Sequence, residues 1–220
     1  AGNRTRPKQA RMTFTTGGSS APEELVSPEL TWNPDKWYLL AVRRQGNEVV
    51  LYRDGIQIAR KPMTGGNLPL GDPNLEIHLG LREDPTAALP QHRSLPLNGG
   101  QDKFQYYSRA MDGEELAQMY SEAAIVSLDT ENRLETDNLV AHYSFRATDP
   151  NLPSVITHDV APANKAIAKE KNGTYVNNPI RTEDRLTNFE AARRFDGIDQ
   201  YISVPASIGS HFNEFNFANN

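Results

Sequence analysis

Hydrophobic and polar residues alternate along this chain in short runs separated by turn residues. Arg11-Met12-Thr13-Phe14-Thr15-Thr16 alternates, is rich in Thr, and predicts a first strand ending at Gly17-Gly18. Ser19 to Asn33 reads as a loop with a short strand near Leu30. Trp37-Tyr38-Leu39-Leu40-Ala41-Val42 is a continuous apolar run, the pattern of a strand buried on both faces. Gln45-Gly46-Asn47 supplies a turn and Val49-Val50-Leu51-Tyr52 the next strand. Asp54-Gly55 follows, and both residue types accept the positive φ that a two-residue hairpin turn demands. Ile56 and Ile58 alternate with polar neighbours and bring the chain back, so these strands predict an antiparallel meander.

Leu75 to Leu79 alternates as a strand. Arg82 to Gly100 is rich in Pro and reads as a long loop of the kind that makes contacts. Phe104 to Tyr107 is a further strand. Asp112 with Glu115 three residues later forms a capping box, which predicts a short helix from Glu114 to about Ala124. Leu116, Met119 and Tyr120 give that helix one apolar side. Ser127 to Asn138 is a polar connector. Leu139–Phe145, Gly173–Val176, Ala192–Phe195 and Gln200–Val204 read as strands, the last two around Asp196-Gly197. Glu214 to Phe217 is one more strand candidate. The chain thus divides into segments 1–125, 126–138 and 139–220. Many short strands with one short helix predict an all-β fold.

Composition narrows the classes of function. The 220 residues suffice for one large β domain or two small ones. A hydrophobic fraction of 37% with 15 Gly and 15 Pro fits many short elements joined by turns. The net charge is −5, from 23 basic against 28 acidic residues, which argues against a duplex nucleic-acid binder. The pairs Arg43-Arg44 and Arg193-Arg194 read as solvated surface. There is no Cys, so disulfides and Cys-based zinc sites are excluded. No apolar run approaches the ~18 residues of a membrane-spanning helix. No signal-peptide pattern is visible. Asn3-Arg4-Thr5 and Asn172-Gly173-Thr174 match glycosylation sequons, a pattern that also arises by chance.

Three local patterns together resemble the laminin-G-like, pentraxin-like jelly roll of the concanavalin A-like lectin and glucanase superfamily. The first is the Trp37 to Val42 run leading into Val50-Leu51-Tyr52-Arg53-Asp54-Gly55. The second is Asp102-Lys103-Phe104-Gln105-Tyr106-Tyr107-Ser108-Arg109-Ala110-Met111 followed by Glu114-Glu115-Leu116, similar to the family's closing strand and terminal helix. The third is Leu139 to Phe145 followed by Arg194-Phe195-Asp196-Gly197-Ile198-Asp199-Gln200-Tyr201-Ile202-Ser203-Val204-Pro205, similar to its opening strand and hairpin. The resemblance implies an antiparallel jelly-roll β-sandwich. It also implies a non-catalytic binding or adhesion module for carbohydrate or protein, placed outside the cell, in a periplasm or on a cell surface. The half-signatures run in inverted order. That order fits one permuted composite sandwich, which is favoured, or a window across tandem modules finished by a neighbour's strand. The second arrangement implies a structural subunit of a filament, tubule, sheath or particle.

Glycan-active enzymes on this fold carry closely spaced carboxylates on one strand, and no such strand is evident. Glu183-Asp184 lies in a polar, loop-like stretch, and Glu114-Glu115 suits a helix start. The five His lack metal spacing. The resemblance implies a Ca²⁺ site where Asp196 or Asp199 meets Asp102, with Asp149 a poorer fourth ligand, because hard cations need several oxygens. Asp196-Gly197 also reads as a plain turn, the favoured reading, because Asp-Gly is common in turns for conformational reasons alone. For a glycan platform Trp32, Trp37, Tyr106 and Tyr107 are available. Alternation sends Trp37 and one of the two Tyr to the core, leaving Trp32 and Tyr106 as the candidates.

Overall fold

A computed structural model describes residues 9–14, 23–63, 77–83, 94–107, 109–125, 139–143, 145, 156–157, 172–184 and 192–204. Two compact units result: Ala1–Leu70 with Arg109–Leu134 and Phe215–Asn220, and Gly71–Ser108 with Glu135–Glu214.

The first unit contains β1 (Arg11–Phe14), β2 (Glu23–Val26), β3 (Leu40–Gln45), β4 (Glu48–Arg53), β5 (Ile56–Pro62) and α1 (Gly113–Ile125). β3, β4 and β5 form the expected antiparallel meander, in that order. Gly46-Asn47 turns between Gln45 and Glu48, which pair. Asp54-Gly55 turns between Arg53 and Ile56, with φ of 55° and 80°, the positive pair that matches strand twist. On one face, Val49 and Leu51 pack with Leu25 of β2 and with Met63. Lys61 of β5 meets Glu23 of β2 at 3.3 Å on that side. The other face carries Tyr52, beside which Gly113 of α1 lies. A Cβ on Gly55 would stand 2.5 Å from the Ala117 Cα, so the helix sits directly on the hairpin turn.

The helix starts as its sequence predicts. Asp112 Oδ1 accepts the Glu115 N–H at 2.9 Å, and Glu115 Oε2 accepts the Asp112 N–H at 2.7 Å. Arg109 donates to both Glu115 oxygens, at 2.6 and 3.0 Å. That Arg109 pair first, and the Asp112 N–H second, hold the Glu115 carboxyl below its ordinary pKa. Leu116 and Met119 are buried, as the spacing predicts.

Two expectations change in this unit. β3 begins at Leu40 rather than Trp37, and it is not buried on both faces: Leu40 is 57% exposed and Val42 52%. The cause is position, because β3 is the outer strand of the meander. The fully buried strand is β4, where Val49, Val50, Leu51 and Tyr52 are all covered. The short strand expected near Leu30 is instead β2, Glu23–Val26.

The second unit contains β6 (Ile77–Leu79), β7 (Leu81–Glu83), β8 (Ser94–Pro96), β9 (Asn98–Gln101), β10 (Phe104–Tyr107), β11 (Leu139–Tyr143), β12 (Ile156–Thr157), β13 (Gly173–Val176), β14 (Ile180–Thr182), β15 (Ala192–Asp196) and β16 (Tyr201–Val204). Every pairing is antiparallel. The sheets run β12-β13-β16-β6, β14-β15-β9, β10-β11 and β7-β8. Phe195, Ile202, Val204, Tyr143, Phe145 and Ala141 form a core that is at most 1% exposed, with Phe104 and Tyr106 packed against it. Alternation drives this packing: in β15 Phe195 is buried between exposed Arg194 and Asp196.

The stretch Arg82 to Gly100, expected to be a loop, holds parts of β7 and β9 and all of β8. β9 reads Asn-Gly-Gly-Gln and lacks any apolar alternation. It pairs because its glycines lie opposite Arg194 and Phe195. Arg193 and Arg194 are not both solvated surface. Arg194 is exposed, whereas Arg193 is 5% exposed and its guanidinium carbon lies 4.2 Å from the Tyr175 ring centroid. Asp184 is also buried, although the sequence around it reads as a loop. Asn3, Asp149, the connector at Ser127–Asn138 and the Glu214–Phe217 strand candidate lie outside the described residues.

Candidate ligand-binding site

Trp32 stands in the segment before β3, ahead of the Pro34-Asp35 turn. It is half-buried and meets Tyr38 edge to face, with centroids 5.0 Å apart and planes at 71°. The Arg53 guanidinium carbon lies 5.0 Å from the Trp32 centroid and 5.4 Å from that of Tyr38. Lys36 Nζ lies 5.4 Å from the Tyr38 centroid. All three distances suit cation–π attraction. Arg53 also donates to the Thr31 carbonyl at 2.9 Å, and Tyr38 Oη accepts the Asn33 N–H at 2.8 Å.

The hairpin positions this cluster. Leu40 lies opposite Arg53 and Arg53 opposite Ile56, so the three side chains share one face of the meander. Asp54 Oδ1 accepts the Leu39 N–H at 2.9 Å, and Leu39 O accepts the Asp54 N–H. These bonds tie the segment carrying Tyr38 to the turn beside Arg53. The result is an aromatic pair with two cationic heads at its rim, chemistry suited to a sugar or peptide bearing negative charge. Sequence reading finds Trp32 but misses Tyr38, Arg53 and Lys36. The available signal was that Arg53 and Leu40 fall opposite each other once the Asp54-Gly55 turn fixes the register. Trp37, expected in the core, is half-buried.

Tyr106, the second platform candidate, packs against the core of the second unit. Asp102 is 7% exposed and immediately follows β9. Asp196 ends β15, where its Oδ1 accepts the Ile198 N–H at 2.9 Å, an Asx turn. Asp199 O accepts from the Asn177 amide at 3.2 Å. Gln200 binds the Asn177 carbonyl and accepts the Asp196 N–H, which locks this hairpin to the neighbouring loop. Gly197 has a φ of 75°, and a Cβ there would lie 2.6 Å from the Asn98 Cβ. The turn is therefore fixed by conformation and packing.

The ladder register does not bring Asp102 to Asp196. Asp196 lies opposite Asn98 and Arg193 opposite Gln101, so Asp102 falls four residues farther along than Asn98. Asp102 itself follows the last residue of β9, and no ladder pairing joins it to Asp196 or Asp199. Asp199 lies beyond Asp196 in the same turn. Among the described residues no group of three or more His, Asp or Glu side chains forms a metal cluster.

A laminin G family model, described as the concanavalin A-like lectin/glucanases superfamily, matches residues 4–117. The chain belongs to this superfamily. The match covers the Trp37-to-Asp54-Gly55 pattern and the Asp102-to-Leu116 pattern, and ends within α1 before the third pattern begins. Among the described residues, the antiparallel strands with one helix agree with the superfamily's jelly roll. No curated protein matches. Among solved structures, the chain is similar to residues 221–444 of an S-layer domain-containing protein from Clostridium thermocellum, at 18% identity and a TM-score of 0.34. The similarity covers 51% of this chain and 51% of that one, so the chain spans about half of that structure. No helix among the described residues is long and apolar enough to cross a membrane.

Proposed function

We propose that this concanavalin A-like chain is a non-catalytic binding module acting outside the cytoplasm. Its contact surface is the cluster Trp32, Tyr38, Arg53 and Lys36. The observation that carries this reading is the half-exposed aromatic pair capped by Arg53 at 5.0 and 5.4 Å. Aromatic faces stack on the C–H face of a sugar, and the guanidinium and ammonium groups select carboxylate or sulfate substituents. Superfamily membership supports binding of carbohydrate or protein. No strand read from the sequence carries the closely spaced carboxylates of glycan-active enzymes on this fold.

A glycan array with neutral, uronate and sulfated saccharides tests the proposal, run on the wild type and on Trp32→Ala. Binding of an acidic saccharide that the variant loses is the expected result. Equal binding by both proteins, or none by either, removes the cluster as the site.

A further inference from the structure

The outer edge of β3 lies at the open side of the meander. Leu39 O accepts the Asp54 N–H, so the 39–54 pair is of the hydrogen-bonded kind. Pairs alternate along an antiparallel ladder, so 41–52 and 43–50 also bond inward. The N–H and C=O groups of Leu40 and Val42 then point away from β4. Among the described residues, β3 has β4 as its one ladder neighbour.

The side chains along this edge are unusual for a blunted one. Leu40 and Val42 are 57% and 52% exposed, and Ile56, on the same face two strands away, is 70% exposed. The opposite face presents Arg43, whose guanidinium carbon lies 5.7 Å from the Tyr52 centroid. Arg43 Nε is buried and has no hydrogen-bond partner among the described residues. Between Asp35 and Lys61 the sequence has six basic side chains against three acidic ones, in a chain of net charge −5. Two of those acids are engaged: Glu48 with Arg60 at 3.7 Å, and Asp54 with the Leu39 N–H.

We propose that the β3 edge accepts an extended segment of a partner protein as an added strand, and that this segment alternates apolar and acidic residues. Its backbone meets the outward N–H and C=O groups of Leu40 and Val42. Its apolar side chains extend the Leu40, Val42 and Ile56 face, and its carboxylates reach Arg43. Arg53 of the Trp32 cluster shares the Leu40 and Ile56 face, but the outward backbone groups of β3 and the Arg43 side chain lie outside that cluster, so Val42→Pro and Arg43→Gln report on the edge alone.

The test uses a synthetic peptide of about ten residues alternating Val and Glu, with a Val–Lys counterpart. Fluorescence anisotropy is expected to show binding of the acidic peptide and not of the basic one. Val42→Pro removes an outward N–H that the meander does not use, so the melting temperature stays and affinity falls about tenfold, the scale of one hydrogen bond. Arg43→Gln lowers affinity in the same way, while Trp32→Ala leaves it unchanged. Should Val42→Pro disturb folding, amide exchange on the wild type decides. Leu40 and Val42 amides exchange fast in the free protein and slow with peptide if the proposal holds. Three outcomes overturn it: equal binding of both peptides, amides already protected in the free monomer, or protection that rises with protein concentration alone.

Discussion

Phe104 and Tyr143 stand opposite each other in the β10–β11 ladder, their ring centroids 6.2 Å apart and their planes at 30°. Phe104 belongs to the stretch that resembles the superfamily's closing strand, and Tyr143 to the stretch that resembles its opening strand. The two are thus ladder neighbours within one chain. Tyr143 is 1% exposed and forms part of the second unit's core. Tyr143→Ala is expected to cost about 3–5 kcal/mol, as truncation of a large buried aromatic does. Tyr143→Leu, which keeps most of the volume, is expected to cost less. Urea unfolding followed by tryptophan-independent far-UV circular dichroism measures both, and near-equal losses would contradict a packing origin.

Turn chemistry explains why the meander was legible in the sequence. Asp54 and Gly55 both sit at positive φ, and few residue pairs other than Asn-Gly and Asp-Gly tolerate that geometry. The capping box was legible for the same local reason, since Asp112 and Glu115 bond each other's backbone N–H groups. β9 was not legible, because Asn98-Gly99-Gly100-Gln101 has neither alternation nor β-branched residues and becomes a strand only through β15. The exposure of β3 was equally hidden: an apolar run does not reveal whether its strand is central or at an edge. Arg193 shows the limit for charge, since a doublet of arginines gives no sign that one of them lies inward over Tyr175. At the candidate site Trp32 was legible from its loop setting, whereas Arg53 needed a register.

Gly55 is doubly constrained. Its φ of 80° is unfavourable for any L side chain, and an added Cβ would press on the Ala117 Cα at 2.5 Å. Gly55→Ala is expected to destabilise by about 1–2 kcal/mol from backbone conformation alone, with the helix contact adding to that. Combining it with Ala117→Gly removes the Cβ–Cβ contact but leaves the backbone contact and the strain. A double-mutant cycle by chemical denaturation measures the coupling. Strictly additive effects would show that the Cβ–Cβ contact contributes nothing and that the cost lies in the backbone contact and the strain.

Arg193 holds its guanidinium over Tyr175 at 4.2 Å in a nearly buried setting. A planar guanidinium stacks on an aromatic ring in a way that an ammonium cannot. Arg193→Lys is therefore expected to cost about 1–2 kcal/mol despite conserving charge. Tyr175→Leu should remove most of the difference between Arg and Lys at position 193. Melting curves of the four proteins test this, and a neutral Arg193→Lys change in the Tyr175 background of the wild type would refute the stacking role.

Glu115 links helix capping to pH. Its carboxyl accepts from Arg109 at 2.6 and 3.0 Å and from the Asp112 N–H at 2.7 Å, and these bonds lower its pKa from 4.5. A carboxyl whose folded pKa lies below its unfolded value contributes stability that is fully present above the unfolded value. That stability fades as pH falls through the lowered folded value. Glu115→Gln keeps an acceptor for the Asp112 N–H but loses the charge that Arg109 meets. The wild type is therefore expected to be the more stable of the two at pH 7. The gap should shrink as pH drops below about 4.5 and close once the carboxyl is protonated in both folded and unfolded states. Urea unfolding of both proteins from pH 7 to pH 3 reads this directly. A gap that stays constant through the acid range would show that shape, not charge, makes Glu115 useful at the start of α1.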